Sequence, residues 1–490
     1  MSLAICTDCL SRFRISTNTL SRSVKAASLL PQTASFHTSP IQNANVVKAK
    51  SAASKQHTLK FRGSQSARLK KKVRERPKVP PVGERRAQRR RIVLSNTNAL
   101  EVGDMETWGK EKMTHPQLVG QVVALDGELL DQLRDAKAFK RTQNWSLFRR
   151  PATLIRNETI AIGKEIEALS SSQDQKMIKH LVAGETHSGK SILMLQTMCM
   201  AFMNDWLVLS VPEAQDLMNN TSSYGPLRQK EGAPPPDEQH FIQPHLAQAL
   251  LERALYSNES VLSALKINHE LPKNIQLKQG STLKDLLKVG VDDHTKAWRA
   301  WQAFWRELTE PGMNPRPRVL LAADSVDHWM GPSKYFDAEH KVIHSQQFVL
   351  IRTFTDLIFG KQNPSFTNGG MVMFCSTGSN SPACPTFKLL ISQMRAKARG
   401  IEATSPKFPL PVPFSKPDLR ILDLIPGSDN VGLVDLNGLS IPESKGYLEY
   451  FAKSGLLQAR LDDAKIAELR SFSAGGIVGE LAKYGSRVRA

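Results

Sequence analysis

From Lys176 onward the chain alternates short apolar runs with longer stretches of helical periodicity. The runs Ile178–Ala183, Trp206–Val211, Val319–Ala323 and Met371–Cys375 are too short for helices. They are also too continuously apolar for strands with one wet face, so they predict strands buried on both faces. Between them, 3.6-residue spacing predicts helices over Lys190–Met203, Pro244–Leu265, Leu283–Glu307 (interrupted at Gly290) and Ala338–Phe359. Strands alternating with helices predict an α/β fold, a parallel sheet flanked by helices, over residues 176–415 with a helical insertion near 240–310. Tyr224–Gln239 is a Pro/Gly-rich surface loop. Residues 100–175 read as a helical transition region, with helices over Leu118–Leu133 and Glu158–Ser170 and a turn at Phe148–Pro151. Residues 416–490 read as mainly helical after a short strand near Val431–Asp435.

The first apolar run ends in Gly184-Glu185-Thr186-His187-Ser188-Gly189-Lys190-Ser191, a full match to G-x-x-x-x-G-K-[ST] between a strand and a helix. That pattern predicts a nucleotide site. The glycines let successive backbone N–H groups turn toward phosphate oxygens, and the helix start adds its dipole. Lys190 is placed to reach the β/γ-phosphates and Ser191 to ligate Mg²⁺. The partner is an apolar strand ending in an aspartate, and Val319–Ala323 followed by Asp324 supplies it as the second metal-site residue. Many oligomeric ATPases follow that aspartate with a water-polarising glutamate; here Ser325 follows. Asp327, three residues on, is the candidate substitute, and Ser376 at the tip of Met371–Cys375 is the candidate γ-phosphate contact. Binding is therefore better supported than turnover, and no catalytic residue is assigned. A guanine-reading N-K-x-D string is missing; Ser415-Lys-Pro-Asp418 reads as a turn. The cofactors expected are Mg²⁺ and a purine nucleotide, GTP/GDP or ATP.

Charge separates from this site. The net charge is +20, yet 21 of the 66 Lys/Arg and only three of the 46 Asp/Glu lie in residues 1–91, leaving 45 against 43 in the rest. Residues 41–99 form a basic tail whose core, Lys60–Arg91, carries 14 basic groups and one aromatic, Phe61. Such a segment cannot bury a core and is expected to be disordered when free. It suits RNA contact through phosphates, which gives affinity without sequence information. Residues 1–40 are rich in Ser, Thr and Ala, with Arg12, Arg14, Arg22 and Lys25 against the single acid Asp8. That composition predicts a mitochondrial import signal, hence the matrix. No run reaches the ~18 apolar residues of a membrane span, so no integral membrane association is expected. Cys6 and Cys9 have metal-ligand spacing, but no second pair accompanies them.

GETHSGKS followed by NDWLVLSVPEAQDLMNNTSSY, VLLAADSVDHWMG and GYLEYFAKSGLL resembles the death-associated protein 3 family, from about Phe148 to Leu457. These are P-loop proteins of the mitochondrial ribosomal small subunit, in its head region. The resemblance implies an AAA-like P-loop domain with a helical C-terminal lid, a bound guanine or adenine nucleotide, and small-subunit ribosomal RNA plus other mitochondrial ribosomal proteins as partners. Gly184, Gly189, Lys190, Ser191 and Asp324 occupy the family's nucleotide positions. The expected function is a structural, nucleotide-binding ribosomal component supporting mitochondrial translation, not an enzyme. The alternative is an active matrix P-loop ATPase or GTPase acting on RNA or protein assembly.

Overall fold

The computed structural model describes residues 92–125, 127–227, 238–362 and 364–487. The expected import signal, the tail up to Arg91 and residues 228–237 of the Pro/Gly loop lie outside them. In chain order the strands are β1 (Val122–Ala124), β2 (Ala152–Leu154), β3 (Met177–Gly184), β4 (Leu207–Val211), β5 (Gly225–Pro226) and β6 (Phe241–Ile242). They continue with β7 (Val319–Asp324), β8 (Pro332–Phe336), β9 (Val342–His344), β10 (Gly370–Cys375) and β11 (Gly432–Leu436).

Five of these form one parallel sheet in the order β11-β3-β10-β7-β4. All six residues of β7 and of β10 are buried, as their continuous apolar runs require. Alternate side chains feed two cores. Leu181, Leu209, Leu321 and Phe374 face the helices Pro244–Ser257, Leu283–Asp292, His294–Thr309, Val349–Phe359 and Pro385–Ala398. Val182, Val208, Leu320 and Met373 face Gly127–Asp135, Asn157–Ser171 and Lys190–Met203. A third cluster joins Phe148 and Leu154 to the C-terminal helices Ile441–Lys453, Asp463–Phe472 and Val478–Arg487 through Leu448, Phe451, Leu469 and Leu481. Among the described residues no helix is long and apolar enough to cross a membrane.

The predicted helix Lys190–Met203 forms over those residues, while others are broken by side chains that bind backbone. Pro244–Leu265 divides at Asn258, whose Oδ1 accepts from Val208 N at 2.7 Å and whose Nδ2 donates to Val208 O at 2.9 Å. The asparagine thereby caps the outer edge of β4 as a further strand would. The next helix breaks at Asp293, which accepts from Thr295 N at 2.9 Å, and continues through Gly290. Only Val349–Phe359 of the helix predicted from Ala338 exists. Upstream, Asp337 Oδ1 accepts from Glu339 N and Lys341 N, closing the β8–β9 hairpin. Leu118–Leu133 likewise becomes β1, paired with β2, followed by Gly127–Asp135.

Candidate nucleotide-binding site

The strand register brings Gly184, Cys375 and Asp324 to the carboxyl edge of the sheet. The connection leaving β3 runs over one face and the one reaching β11 over the other, the arrangement that opens a ligand crevice at strand ends. β3 passes into the loop through Gly184 at φ +151°, where a Cβ would stand 2.6 Å from the Leu436 carbonyl oxygen. Gly189 at φ +100° then starts the helix, and His187, at φ +64°, holds a left-handed conformation costly for its side chain. Arg156, buried, stitches this turn in place: Nη1 donates to Ser188 O and Nη2 to Asn437 O, both at 3.0 Å.

The loop borders a cavity of about 420 Å³, of ordinary small-ligand size. Ser188 Oγ is fully buried without a hydrogen-bond partner, packed against Gly184 and closed off from the cavity. Lys190 Nζ folds back on the loop, donating to Gly184 O at 2.9 Å and Glu185 O at 2.7 Å. Burial pulls its pKa below the ordinary lysine value, with Cys375, Asp324 and Asp327 acting against that, and an arriving phosphate would favour the charged form. Ser191 Oγ donates to Asp324 Oδ2, so the two predicted metal-site residues meet. A hydroxyl and a carboxylate are the hard oxygen donors that Mg²⁺ takes, alongside phosphate oxygens and water. Trp145, Phe148, Tyr447 and Tyr450 also line the cavity, and Phe148 stacks on Tyr450 with centroids 4.6 Å apart. The cradle fits a nucleotide: donors for phosphates, oxygen ligands for the ion and an aromatic wall for a base.

A family model described as mitochondrial ribosomal death-associated protein 3 matches residues 153–484. The small ribosomal subunit protein mS29 of Neurospora crassa is 36% identical over 416 residues, covering 84% of this chain and 84% of the relative. The chain belongs to the mitochondrial ribosomal death-associated protein 3 family. Proteins of the same name from Mus musculus and Bos taurus are more distant. The first is 22% identical over 242 residues (49% of this chain, 59% of the relative), the second 21% over 242 residues (48% and 56%).

The family match runs from β2 into the last helix and contains the whole P-loop and Asp324. Thr186, His187, Ser188, Gly189, Lys190, Ser191, Asp324 and Ser376 all line the cavity; Gly184 and Glu185 line a smaller polar one behind the loop with Arg395. Asp327 is not among the residues that line the cavity. Its Oδ2 accepts from Thr377 N at 2.5 Å, and it closes the loop after β10 instead. Burial raises its pKa above the usual aspartate value, against the pull of the Thr377 amide.

Two charged groups that meet at the Asp324 end of the cavity carry no motif signal in the sequence. Glu213 follows β4 beyond Pro212, and its Oε2 lies 3.4 Å from Ser325 Oγ. Lys140, upstream of the matched region, contacts Glu213 Oε1 at 2.9 Å and donates to Asp324 Oδ2. Burial alone would lower the Lys140 pKa, but Asp324 and Glu213 together outweigh it and hold it above the ordinary value. The only sequence signal for Glu213 is a carboxylate just past a buried strand; that β4 adjoins β7 is tertiary information.

Proposed function

We propose that this chain is a structural, nucleotide-binding component of the small subunit of the mitochondrial ribosome, working in the matrix and supporting mitochondrial translation. Its place in the subunit is the head, as the family resemblance implies. The observation that carries the reading is membership of a family of mitochondrial ribosomal proteins by a chain whose P-loop serine meets its strand-end aspartate. Within it, the P-loop holds the phosphates of GTP, GDP or ATP, Ser191 and Asp324 hold Mg²⁺ when it is bound, and the aromatic wall takes the purine. The basic tail binds ribosomal RNA through its phosphates, and the neutral body meets neighbouring ribosomal proteins.

Hydrolysis is no part of this role. One observation favours the second reading, a matrix ATPase or GTPase: Glu213 puts a carboxylate beside Ser325, where a water-polarising group would be useful. Lys140 neutralises that carboxylate, which supports binding over turnover.

Sedimentation of mitochondrial extracts in high salt tests the assignment. The chain should remain with the small subunit, and Lys190→Ala should reduce its incorporation. A chain that washes free as a soluble, nucleotide-hydrolysing protein would support the enzyme reading and reject the structural one.

A further inference from the structure

Lys140 stands at the metal end of the phosphate cavity and is held there by design of the surrounding loop. Its neighbour Phe139 is buried and packs edge-on against Trp145, with centroids 5.1 Å apart. Lys140 N donates to Gln143 Oε1 at 2.8 Å, so the backbone is fixed independently of the ammonium. The side chain is 16% exposed and Asp324 only 3%, which places the ammonium inside the cavity. There it shares one oxygen, Asp324 Oδ2, with the Ser191 hydroxyl, and its second partner is Glu213 Oε1 at 2.9 Å.

An ion held by Ser191 and Asp324 and the Lys140 ammonium therefore compete for the same carboxylate oxygen, and like charges at that separation repel strongly. Phe139, Trp145 and Gln143 tie the loop down beside the ion pair. We infer that Lys140 supplies in cis the positive charge that a divalent ion supplies at other phosphate cradles, so that nucleotide phosphates bind here without an obligatory metal. This rests on the P-loop binding nucleotide, as proposed above. Glu213 shares the ammonium with Asp324 and draws part of its charge away from the phosphates.

Calorimetric titration of the purified full chain with GTP and with ATP, in magnesium and in EDTA, tests this. Wild-type affinity should change by no more than about threefold between the two media, whereas Lys140→Met should lose roughly a hundredfold in EDTA and recover in magnesium, as removal of a close compensating charge requires. Lys140→Arg should restore the wild-type pattern. Glu213→Gln, which keeps the shape of the site should Lys140→Met fold poorly, should tighten binding in EDTA by freeing the ammonium toward the phosphates. Wild-type binding that collapses in EDTA would overturn the inference while leaving the nucleotide reading intact. Equal loss by Lys140→Met in both media would also overturn it, by reducing Lys140 to a structural tie. Binding of neither nucleotide by the wild type in either medium would sink both.

Discussion

The Gly479 amide donates to the His187 carbonyl across 3.1 Å, joining the last helix to the crest of the P-loop. A Cβ at Gly479 would stand 2.6 Å from the His187 Cβ, so the lid rests on the loop through a glycine-sized contact. His187 Nδ1 and Glu480 Oε1 meet 3.3 Å apart beside it. Gly479→Ala should push the lid off the loop, costing about 1–3 kcal/mol of stability as overpacking does, and should weaken nucleotide binding. His187→Gly removes the opposing Cβ and relieves the left-handed residue. The double variant should therefore recover most of the loss, giving a coupling energy of about 0.5–3 kcal/mol in a double-mutant cycle. Additive effects in thermal unfolding would show that the contact does not couple the two elements.

Ser325→Glu puts a carboxylate after the strand-end aspartate, where an active ATPase would carry one. The structure argues against gain of activity. Ser325 is 7% exposed, holds φ +62° and lies 3.4 Å from Glu213 Oε2, so the new carboxylate would enter beside an existing one. Differential scanning calorimetry should record a loss of about 1–3 kcal/mol, the cost of burying a poorly compensated polar group. Ser325→Gly, which suits the left-handed backbone, should be nearly neutral. Unchanged stability with new hydrolysis in Ser325→Glu would contradict this.

Asp327 gives a pH signature. Its folded-state pKa is raised above the unfolded value by burial, so the ionised form is disfavoured in the native state. The associated stability is fully present below the unfolded aspartate pKa and is lost as pH rises through the folded one. Asp327→Asn removes that loss and keeps an oxygen to accept from Thr377 N. Relative to wild type, its urea midpoint should improve as pH rises across the acid range and stay at least equal at neutrality. A variant that weakens as pH rises would return Asp327 to a charged role.

How much of this was readable in the chain follows from what each residue depends on. The strands at Ile178, Trp206, Val319 and Met371 were readable because burial on both faces leaves continuous apolar runs, and the P-loop because its geometry demands glycine at fixed spacing. The short strand near Val431 became β11, the outer strand beside β3. The hairpins of two to five residues were not, since such runs are too short to show alternation. Asn258 looked like an ordinary helix residue because its reason, the open edge of β4, exists only after sheet assembly. The same holds for Lys140 and Glu213, whose partner Asp324 is 184 residues from the lysine. The structure sets the Asp327 carboxylate against Thr377 N, and sequence spacing cannot tell which side of a turn a carboxylate takes.

The basic tail carries a separate prediction. Replacing Lys70, Lys71, Lys72, Arg89, Arg90 and Arg91 by Gln should weaken binding to unrelated RNAs alike. Each lost phosphate contact should reduce the log–log salt slope by roughly 0.7–0.9. Filter binding over a salt series reads this directly, and a loss confined to one RNA sequence would contradict phosphate-only contact.

On the proposed function, the P-loop carries a nucleotide as part of the folded protein. A ligand bound only to the native state stabilises it by about 2.7 kcal/mol at a hundredfold excess over Kd, enough to favour assembly without turnover. The most direct measurement is mass spectrometry of the nucleotide released on denaturing the purified chain, wild type beside Lys190→Ala. About one purine nucleotide per wild-type chain is expected, with a large loss in Lys190→Ala because the cation facing the phosphates is gone. Wild-type protein without nucleotide, or Lys190→Ala carrying as much as wild type, would contradict it.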